Sequence, residues 1–349
     1  MNGPMDFGRY MGLCLGHPEM GYYMTRDPFG AAGDFITAPE VSQVFGELIG
    51  VWCADAWMKS GSPDPAGLVE LGPGRGALMS DLLRATGGVA SFQQAVDVHF
   101  VETSPVLKNA QSKAFRNRGV SWHDDLKTLP RDRFMMVIGN EFLDALPVRQ
   151  LIKTSNGWNE VMVGLDPEGR LTLGEQEAPT QLLEYIPSTL IDYKDGDVVE
   201  VSPILESYLI NLFQLIQKQS GFCLFIDYGY AGFKAEKTLQ AVYKHRYVSI
   251  LDNPGECDLT AHVNFETVSH LALENGLTIH GPVSQKTFLE NLGISVRIEM
   301  LGKNATPVQK QDLAQAYERL CGVDQMGELF KVIAISSDPS LDLEGFKCA

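Results

Sequence analysis

The chain has 349 residues, of which 44% are hydrophobic, and its formal net charge is -16 at pH 7. Such acidity argues against a general nucleic-acid binder, because those proteins normally present a basic surface. No run of roughly eighteen apolar residues occurs, so we expect no membrane span. The N-terminus MNGPMDFGRYMG shows neither an apolar signal core nor an arginine-rich presequence. We therefore predict a protein of the bacterial cytoplasm, or of the mitochondrial matrix if the source is eukaryotic.

Residues 1–62 are predicted to form a helical segment with loops. MDFGRYMGLCL and EVSQVFGELIGVWCADAWMKS place apolar residues at helical spacing, and HPEMGYY forms a turn between them. The loop GDFITAPE carries Asp34, Thr37 and Glu40, and its Thr-Ala-Pro-Glu portion suits a helix start. A break rich in Pro, Gly and Asp at 62–67 ends the segment.

After this break, strand-like and helix-like segments alternate along the chain. Strands are predicted at 67–71, 97–102, 134–139 and 222–227, and helices at 77–85, 105–117 and 203–219. Such alternation is typical of a doubly wound α/β fold with a parallel sheet. GLTIHGPVS and FKVIAISS add two late strands as an antiparallel pair, which brings the predicted core to seven strands.

Two segments interrupt the alternation. Residues 148–178 contain turn signals at Asn156-Gly157 and at Pro167-Glu168-Gly169, which favour an antiparallel meander. The second segment, 229–263, is loop-rich and polar. We therefore predict an N-terminal helical segment at 1–62, a core made of 63–147 and 198–349 that contains the loop-rich insertion, and an inserted α+β region at 148–197 on the substrate side.

The nonapeptide LVELGPGRG at 68–76 is the most informative segment. An apolar run, a glycine turn and the helix-like ALMSDLLRA follow one another, and a helix N-terminus approached closely by backbone favours a polar ligand. Three glycines within five residues argue against a turn without a ligand, because each glycine costs folding entropy. The turn also satisfies the dinucleotide pattern with alanine in third place. The fuller string Glu70-x-Gly72-x-Gly74-x-Gly76 resembles motif I of class I S-adenosylmethionine-dependent methyltransferases.

Acidic residues follow the next two strands. DVHFVE ends in Glu102, whose carboxylate can accept hydrogen bonds from both ribose hydroxyls of a dinucleotide or of S-adenosylmethionine. A helix start stabilised by its dipole is the alternative role for Glu102, and we favour the ligand role. After the third strand, Asp124 or Asp125 can meet the adenine amino group, with Leu126 lending its backbone. A solvated turn explains either aspartate equally well.

The fourth strand, in MMVIGNEFLDALPVRQ, leads directly into Asn140, Glu141 and Asp144. The carboxyl ends of strands in an open α/β sheet face the ligand crevice, and burial of an unpaired carboxylate there is costly. Methyl transfer from a sulfonium requires an aligned and desolvated nucleophile. An Asn carbonyl and a carboxylate can hold an amino or guanidinium group in that orientation. Helix capping by the same residues is compatible with this role.

Six segments, in this order, resemble the MidA family of class I methyltransferases, relatives of the mitochondrial arginine methyltransferase of respiratory complex I assembly. They are HPEMGYY (17–23), GDFITAPEVSQVFGE (33–47), LVELGPGRG (68–76), NEFLDALPV (140–148), FIDYGY (225–230) and CDLTAHVNF (257–265). The resemblance implies a Rossmann-like methyltransferase core, S-adenosyl-L-methionine as cofactor, and a protein substrate such as a core subunit of complex I.

The resemblance also implies roles for matching residues. Those expected to bind the cofactor are Glu70, Gly72, Gly74 and Gly76 along its length, Glu102 at the ribose, Asp124 and Leu126 at the adenine, and Asp34, Thr37 and Asn140 around the pocket. Asn140 and Glu141 would also face the substrate nitrogen. We hypothesise that Glu141, helped by Asp144 and by Asp227 after the fifth strand, binds a guanidinium through charge-assisted hydrogen bonds. His262, beside Asp258, is a candidate proton acceptor or substrate orienter.

The sequence is compatible with four functions. The leading hypothesis is a protein-arginine methyltransferase that acts on a respiratory complex I subunit or a similar protein. The alternatives are a methyltransferase for a small molecule or another side chain, a cofactor-binding assembly factor that works by protein contact, and a nicotinamide dehydrogenase. The six scattered cysteines lack metal-type spacing, so we predict reduced thiols and no metal site. The oligomeric state stays open.

Overall fold

The structure is a computed structural model that describes residues 3–28, 36–187, 192–232 and 234–347. Asp34, one of the predicted cofactor residues, lies outside these ranges. Within them, no helix combines the length and the apolar character that a membrane crossing requires. The described cysteines are all buried thiols that form no disulfide with one another.

The N-terminal segment is helical, as predicted. Its elements are β1 (Met5–Asp6), α1 (Phe7–Gly16), α2 (Tyr22–Thr25), α3 (Ala38–Val41) and α4 (Gln43–Lys59). Side chains cap the two longer helices: Asp6 accepts the Arg9 N–H at 2.9 Å, and Ser42 accepts the Val44 N–H at 3.3 Å. Trp52 and Trp57 of α4 are almost completely buried, so this helix belongs to the main core.

The first half of the core alternates strands and helices. It contains β2 (Ala66–Leu71), α5 (Ala77–Ala85), α6 (Ala90–Ala95), β3 (Val96–Val101), α7 (Pro105–Ala114), β4 (Val120–His123) and β5 (Phe134–Asn140), with a short helical turn at Leu126–Thr128. The helix predicted for 105–117 therefore ends three residues early. The other predicted elements in this half agree with the structure to within a residue.

An antiparallel sheet follows, where the meander is predicted. It comprises β6 (Arg149–Thr154), β7 (Gly157–Leu165), β8 (Leu171–Glu177) and, after α8 (Thr180–Leu183), β9 (Val198–Val201). β7 pairs with β6, β8 and the N-terminal β1, and β6 also pairs with β9. This sheet thus joins the start of the chain to the segment that leads back into the core.

The second half of the core contains the loop-rich insertion. Its elements are α9 (Pro203–Gln219), β10 (Gly221–Tyr230), β11 (Gln240–Tyr243), β12 (Arg246–Val248), β13 (Asp258–Thr260), β14 (Val263–Asn264), α10 (Phe265–Glu274), β15 (Thr278–Ser284), α11 (Gln285–Asn291), α12 (Ile294–Gly302), α13 (Pro307–Cys321) and β16 (Phe330–Ser336). β11, β12 and β13 form a small antiparallel sheet of their own.

The main sheet has the order β15-β16-β10-β5-β2-β3-β4. β10, β5, β2, β3 and β4 are parallel, and β16 pairs antiparallel with both β10 and β15, which confirms the predicted late antiparallel pair. Over the described residues, this sheet has eight strands instead of the predicted seven, because β14 pairs with the last residues of β10. The strand order reverses between β2 and β5, where such folds bind ligands at the carboxyl ends of the strands.

Apolar clusters cover both faces of the main sheet. Leu68 lies in the cluster with α4 and α5, whereas its neighbour Val69 lies in the cluster with α9 and α10. Every residue of β2 is buried because successive side chains enter opposite cores. A third cluster packs α1 against the small sheet through Phe7, Tyr10 and Leu259. The N-terminal segment and the insertion therefore meet beside the carboxyl ends of the strands.

Candidate active site

A cavity of about 650 Å³ opens at the carboxyl ends of β2, β3 and β5. It is lined by residues from every predicted motif, including Gly72, Glu102, Asp124, Glu141, Asp144 and His262. Side chains that are distant in sequence therefore share one space at the point where the strand order reverses.

The glycine turn after β2 has a backbone that other residues would not fit. Gly72, Gly74 and Gly76 have φ values of 58°, 55° and 82°, a region that favours glycine. A Cβ atom at Gly72 would lie 2.9 Å from a ring carbon of Phe142, and one at Gly76 would lie 2.6 Å from a ring carbon of Phe115. Glycine is thus required both for the turn and for the close approach of the neighbouring rings.

A smaller cavity of about 40 Å³ lies behind this turn and shares Thr37, Gly72 and Glu141 with the larger one. Two buried acceptors that line it, Glu70 Oε2 and Asn140 Oδ1, have no hydrogen-bond partner among the residues that the structure describes. Burial, and to a lesser extent nearby Glu102, holds the pKa of Glu70 well above its usual range. Because an unsatisfied buried acceptor is costly, these two atoms suit a cationic ligand group with several N–H donors.

Glu102 is buried at the end of β3 and held by two donors. Its Oε1 accepts the Ser104 N–H at 2.8 Å, and its Oε2 accepts the Gln111 side-chain N–H at 3.2 Å. Gln111 also donates to the Gly74 carbonyl at 2.8 Å and accepts the Trp122 indole N–H at 2.8 Å. Burial raises the pKa of Glu102 despite these bonds. Gln111 therefore ties the predicted ribose carboxylate to the glycine turn.

Gln111 is not among the site residues predicted from the sequence, although α7 contains a signal for it. Gln111 lies one helical turn after Leu107, and these are the two buried positions of the helix. A polar residue on the buried face of an amphipathic helix is expected to satisfy a specific partner.

We expect Gln111→Leu to weaken binding of S-adenosyl-homocysteine about tenfold, because the apolar side chain removes donors to both Glu102 and Gly74. Calorimetric titration measures this loss. Asn109→Leu, on the exposed face of the same helix, is the matched control and should bind normally. Equal affinities for the two variants would show that Gln111 does not position the cofactor residues.

The predicted adenine residues separate into two positions. Asp124 lines the large cavity and forms an ion pair with Lys108, which lowers its pKa. Asp125 instead accepts the Lys127 N–H at 2.9 Å and caps the short turn that follows. The Leu126 side chain is buried in the core. Of the two aspartates, Asp124 is the one that faces the cavity.

Asp227 does not line the cavity, contrary to the expectation that it reaches the crevice and helps to bind a guanidinium. It is completely buried, and its Oδ2 accepts the N–H groups of Phe142, Leu143 and Asp144 at 3.0, 2.8 and 3.3 Å. Its Oδ1 accepts the N–H of Tyr228 at 2.9 Å. The carboxylate is turned towards these four backbone donors and anchors the turn that begins at Glu141.

Glu141 has an uncommon left-handed backbone, with φ at 50°. This conformation lets its side chain line both cavities. Its Oε1 accepts the Ala38 N–H at 2.9 Å and the Asn140 side-chain N–H at 3.1 Å. Burial and nearby Asp227 raise the pKa of Glu141 to about 8. In the described part of the chain, no hydrogen bond occupies its Oε2, which leaves that oxygen available to a ligand.

Two further carboxyl groups face the same space. Asp144 is buried, and burial together with the neighbouring carboxylates holds its pKa well above the usual range. Asp258 accepts a hydrogen bond from the Tyr23 hydroxyl at 2.8 Å.

The His262 ring lies parallel to the Tyr228 ring with centroids 6.3 Å apart, and burial lowers the His262 pKa. Over the described ranges, no group of three or more His, Cys, Asp or Glu is arranged to hold a metal ion.

The N-terminal segment is fixed across the cavity by contacts that the sequence did not reveal. Tyr23 lines the cavity, and its backbone carbonyl accepts the Ser104 hydroxyl at 2.6 Å. Asp27 forms an ion pair with Arg75 of the glycine turn at 2.8 Å. Thr37 lines both cavities and precedes α3. The sequence signal for this arrangement is limited to the helix-start pattern at Thr37.

The raised pKa of Glu141 predicts how stability depends on pH. A carboxyl group whose pKa is about 8 when folded and 4.5 when unfolded binds its proton more tightly in the folded state. Its contribution to the free energy of unfolding therefore falls as pH rises between these values. Urea unfolding of the ligand-free protein measures this effect. Between about pH 5 and pH 8, the free energy of unfolding of Glu141→Gln should rise by at least ~2 kcal/mol relative to that of the wild type. If the free energies of unfolding of the two proteins changed in parallel with pH, the raised pKa of Glu141 would be contradicted.

Comparisons with known proteins agree with this geometry. A family profile described as S-adenosyl-L-methionine-dependent methyltransferase matches residues 48–283. The human protein arginine methyltransferase NDUFAF7, mitochondrial, is 36% identical over 95% of this chain and 80% of its own length. The Danio rerio protein of the same name is 35% identical over 95% and 83%.

A solved structure is also similar over nearly the whole chain. It is a superfamily member from Burkholderia thailandensis that was crystallised with bound S-adenosyl-homocysteine. Its sequence is 29% identical, the TM-score is 0.82, and the match covers 99% of this chain and 89% of the other. S-adenosyl-homocysteine is what remains of S-adenosylmethionine after the methyl group has left.

Proposed function

The chain belongs to the S-adenosyl-L-methionine-dependent methyltransferase family, and on that premise we propose that its methyl acceptor is an arginine side chain of a protein substrate. The observation that carries the proposal is the group of carboxyl side chains of Glu141, Asp144 and Asp258 on one cavity. Such a group favours a cationic acceptor through charge-assisted hydrogen bonds. The relatives named as arginine methyltransferases support the same acceptor.

The residues present fit the cofactor. The acceptors of Glu70 and Asn140 that have no partner within the described ranges suit the α-ammonium of its methionine portion, which carries three donors. Glu102 would take the ribose hydroxyls, and Asp124 would take the adenine amino group. Gly72 and Gly74 line the large cavity, so the backbone of the glycine turn borders the space that the cofactor would fill. When bound, S-adenosylmethionine supplies an electrophilic methyl group on a sulfonium.

The carboxyl groups orient the acceptor and take its proton. Glu141, fixed by the Ala38 N–H through one oxygen, holds the guanidinium with the other. Methyl transfer would form an N–C bond at the expense of the S–C bond, and the guanidinium nitrogen would then have to lose a proton. Asp144, a buried carboxyl group on the same cavity whose pKa is raised by burial and by the neighbouring carboxylates, accepts this proton when it is ionised. His262, whose pKa is lowered by burial, remains neutral and orients the acceptor from the adjacent wall.

We also propose a biological substrate and a compartment. The resemblance of the motifs supports a core subunit of respiratory complex I as the substrate. Methylation would take place in the bacterial cytoplasm, or in the matrix for a mitochondrial counterpart. In this arrangement the helical segment 1–62 closes the cofactor pocket, and the inserted region 148–197 lies on the substrate side. The ion pair between Asp27 and Arg75 supports the first of these two roles.

Mass spectrometry of complex I core subunits from a deletion strain tests the proposal. We expect one methylarginine to disappear and to return with the wild-type gene. Complementation with a Glu141→Gln variant separates catalysis from scaffolding, because the variant protein is still present to contact its partners while its methyl transfer is reduced. An unchanged set of methylarginines would contradict the proposed substrate. Restored complex I assembly without methylation would favour an assembly factor that works by contact.

A further inference from the structure

The small sheet of β11, β12 and β13 forms one wall of the active-site cavity. In the sheet register, Val242 lies opposite Asp258 on one side and opposite Tyr247 on the other. Directly opposed residues point to the same face of a sheet, and all three line the cavity. Their row therefore leads from the carboxylate of Asp258 to the outer strand. The Tyr247 side chain is 77% exposed, which places this outer strand at the mouth of the cavity.

β12 is an edge strand with an available backbone. Lys244 and His245 form the two-residue turn between β11 and β12, and both have positive φ. In a hairpin of this type the closing pair, Tyr243 and Arg246, is hydrogen bonded, and the next pair is not. The N–H and C=O of Tyr247 consequently point away from β11. Among the described strands, none pairs with this outer edge of β12.

The hairpin tip is cationic on an acidic protein. Lys244, His245 and Arg246 are consecutive and exposed, whereas the whole chain has a net charge of -16. Arg246 forms no ion pair with any other residue in the part of the chain that the structure describes. A concentrated charge of this sign at the cavity mouth attracts acidic segments. It is opposite in sign to the carboxyl groups inside the cavity.

We propose that β12 docks an extended segment of the protein substrate that carries acidic side chains beside the methyl-accepting residue. The inference rests on the proposed function in that the acceptor belongs to a protein. Main-chain hydrogen bonds to Tyr247 fix the register of the segment, as in strand addition to a free sheet edge. Arg246 and Lys244 pair with the acidic flanks. The cationic acceptor then enters the carboxyl-lined interior, so the two charge signs select a basic residue in an acidic context.

Peptide binding to the protein saturated with S-adenosyl-homocysteine tests the main-chain contact. The probe is a fluorescein-labelled peptide with a central arginine flanked by alternating valine and glutamate. Tyr247→Pro removes the outward N–H and leaves the β11 pairing intact, because proline is tolerated on the outer side of an edge strand. Tyr247→Ala is the matched control, since it removes the ring and keeps the N–H. Fluorescence anisotropy should show binding at least about fivefold weaker for the proline variant than for the alanine variant.

A charge reversal tests the cationic tip. The wild type should bind the glutamate peptide at least about tenfold more tightly than a lysine-flanked peptide, and Arg246→Glu should remove or invert this preference. Arg116→Glu, at an exposed site on another surface, is the control and should keep it. Equal binding of both peptides to the wild type, no binding of either, or indifference to the β12 substitutions would overturn the docking proposal.

The same titrations, followed by incubation of the peptides with the enzyme and S-adenosylmethionine, separate this inference from the proposed function. A third peptide replaces the central arginine with glutamine and keeps the glutamate flanks. If the glutamate peptides show the expected dependence on β12, yet the arginine peptide is never methylated and binds no better than the glutamine peptide, the docking surface is correct and the arginine acceptor is wrong.

Discussion

Replacing Glu141 with Gln should reduce methyl transfer at least ~100-fold while binding of S-adenosyl-homocysteine stays within about twofold of the wild type. Gln keeps an oxygen for the Ala38 N–H, so the link to the N-terminal segment survives. Gln cannot ionise, whereas a bound guanidinium favours the ionised form of Glu141, and hydrogen bonds to a charged partner are roughly twice as strong as neutral ones. Calorimetry and single-turnover methylation measure the two quantities separately.

Glu206→Gln is a suitable control for this experiment. Burial raises the pKa of Glu206 to about 7, as burial raises that of Glu141, but Glu206 does not line the large cavity. Its substitution should leave methyl transfer unchanged. If Glu141→Gln transferred methyl groups at the wild-type rate, Glu141 would have no place in the mechanism, and Asp144 with Asp258 would have to hold the acceptor alone.

Short-range sequence patterns located most of the core. β2 and α5 follow from LVELGPGRG and ALMSDLLRA, because an apolar run, a glycine turn and helical periodicity are all local properties. β14 was missed since two residues, Val263 and Asn264, are too few to produce a periodic signal. Strand pairing at that length depends on where β10 ends, which only the folded chain determines.

Local sequence patterns did not predict the direction in which a side chain points. Asp144 and Asp227 both follow buried strands, and the sequence placed both in the crevice. The structure separates them, because the left-handed backbone at Glu141 exposes N–H groups that Asp227 accepts. Gln111 and Ala38 were missed for a similar reason, as their partners lie 9 and 103 residues away in the chain. Contacts of this kind arise from tertiary packing, so spacing alone does not reveal them.

The anchoring role of Asp227 leads to the second large expected effect, which concerns stability and catalysis together. Asp227→Asn should lower the free energy of unfolding by about 2–4 kcal/mol, because an amide has one acceptor oxygen and must turn its NH₂ group towards backbone donors on one side. The turn from Glu141 to Asp144 then loses bonds that offset its left-handed start. Methyl transfer should fall more than S-adenosyl-homocysteine affinity, since Glu70 and Glu102 are held by other elements.

Urea unfolding, calorimetry and single-turnover methylation check these three expectations on one protein sample. Asp81→Asn offers a matched control, because this partly buried carboxylate on α5 pairs with Arg84 and lies outside both cavities. Asp81→Asn should lower the free energy of unfolding by less than ~1 kcal/mol and leave methyl transfer unchanged. A variant at Asp227 with wild-type stability and activity would mean that the turn holds its shape without the carboxylate. The positions of Glu141 and Asp144 would then have to come from the packing of Phe142 against the glycine turn.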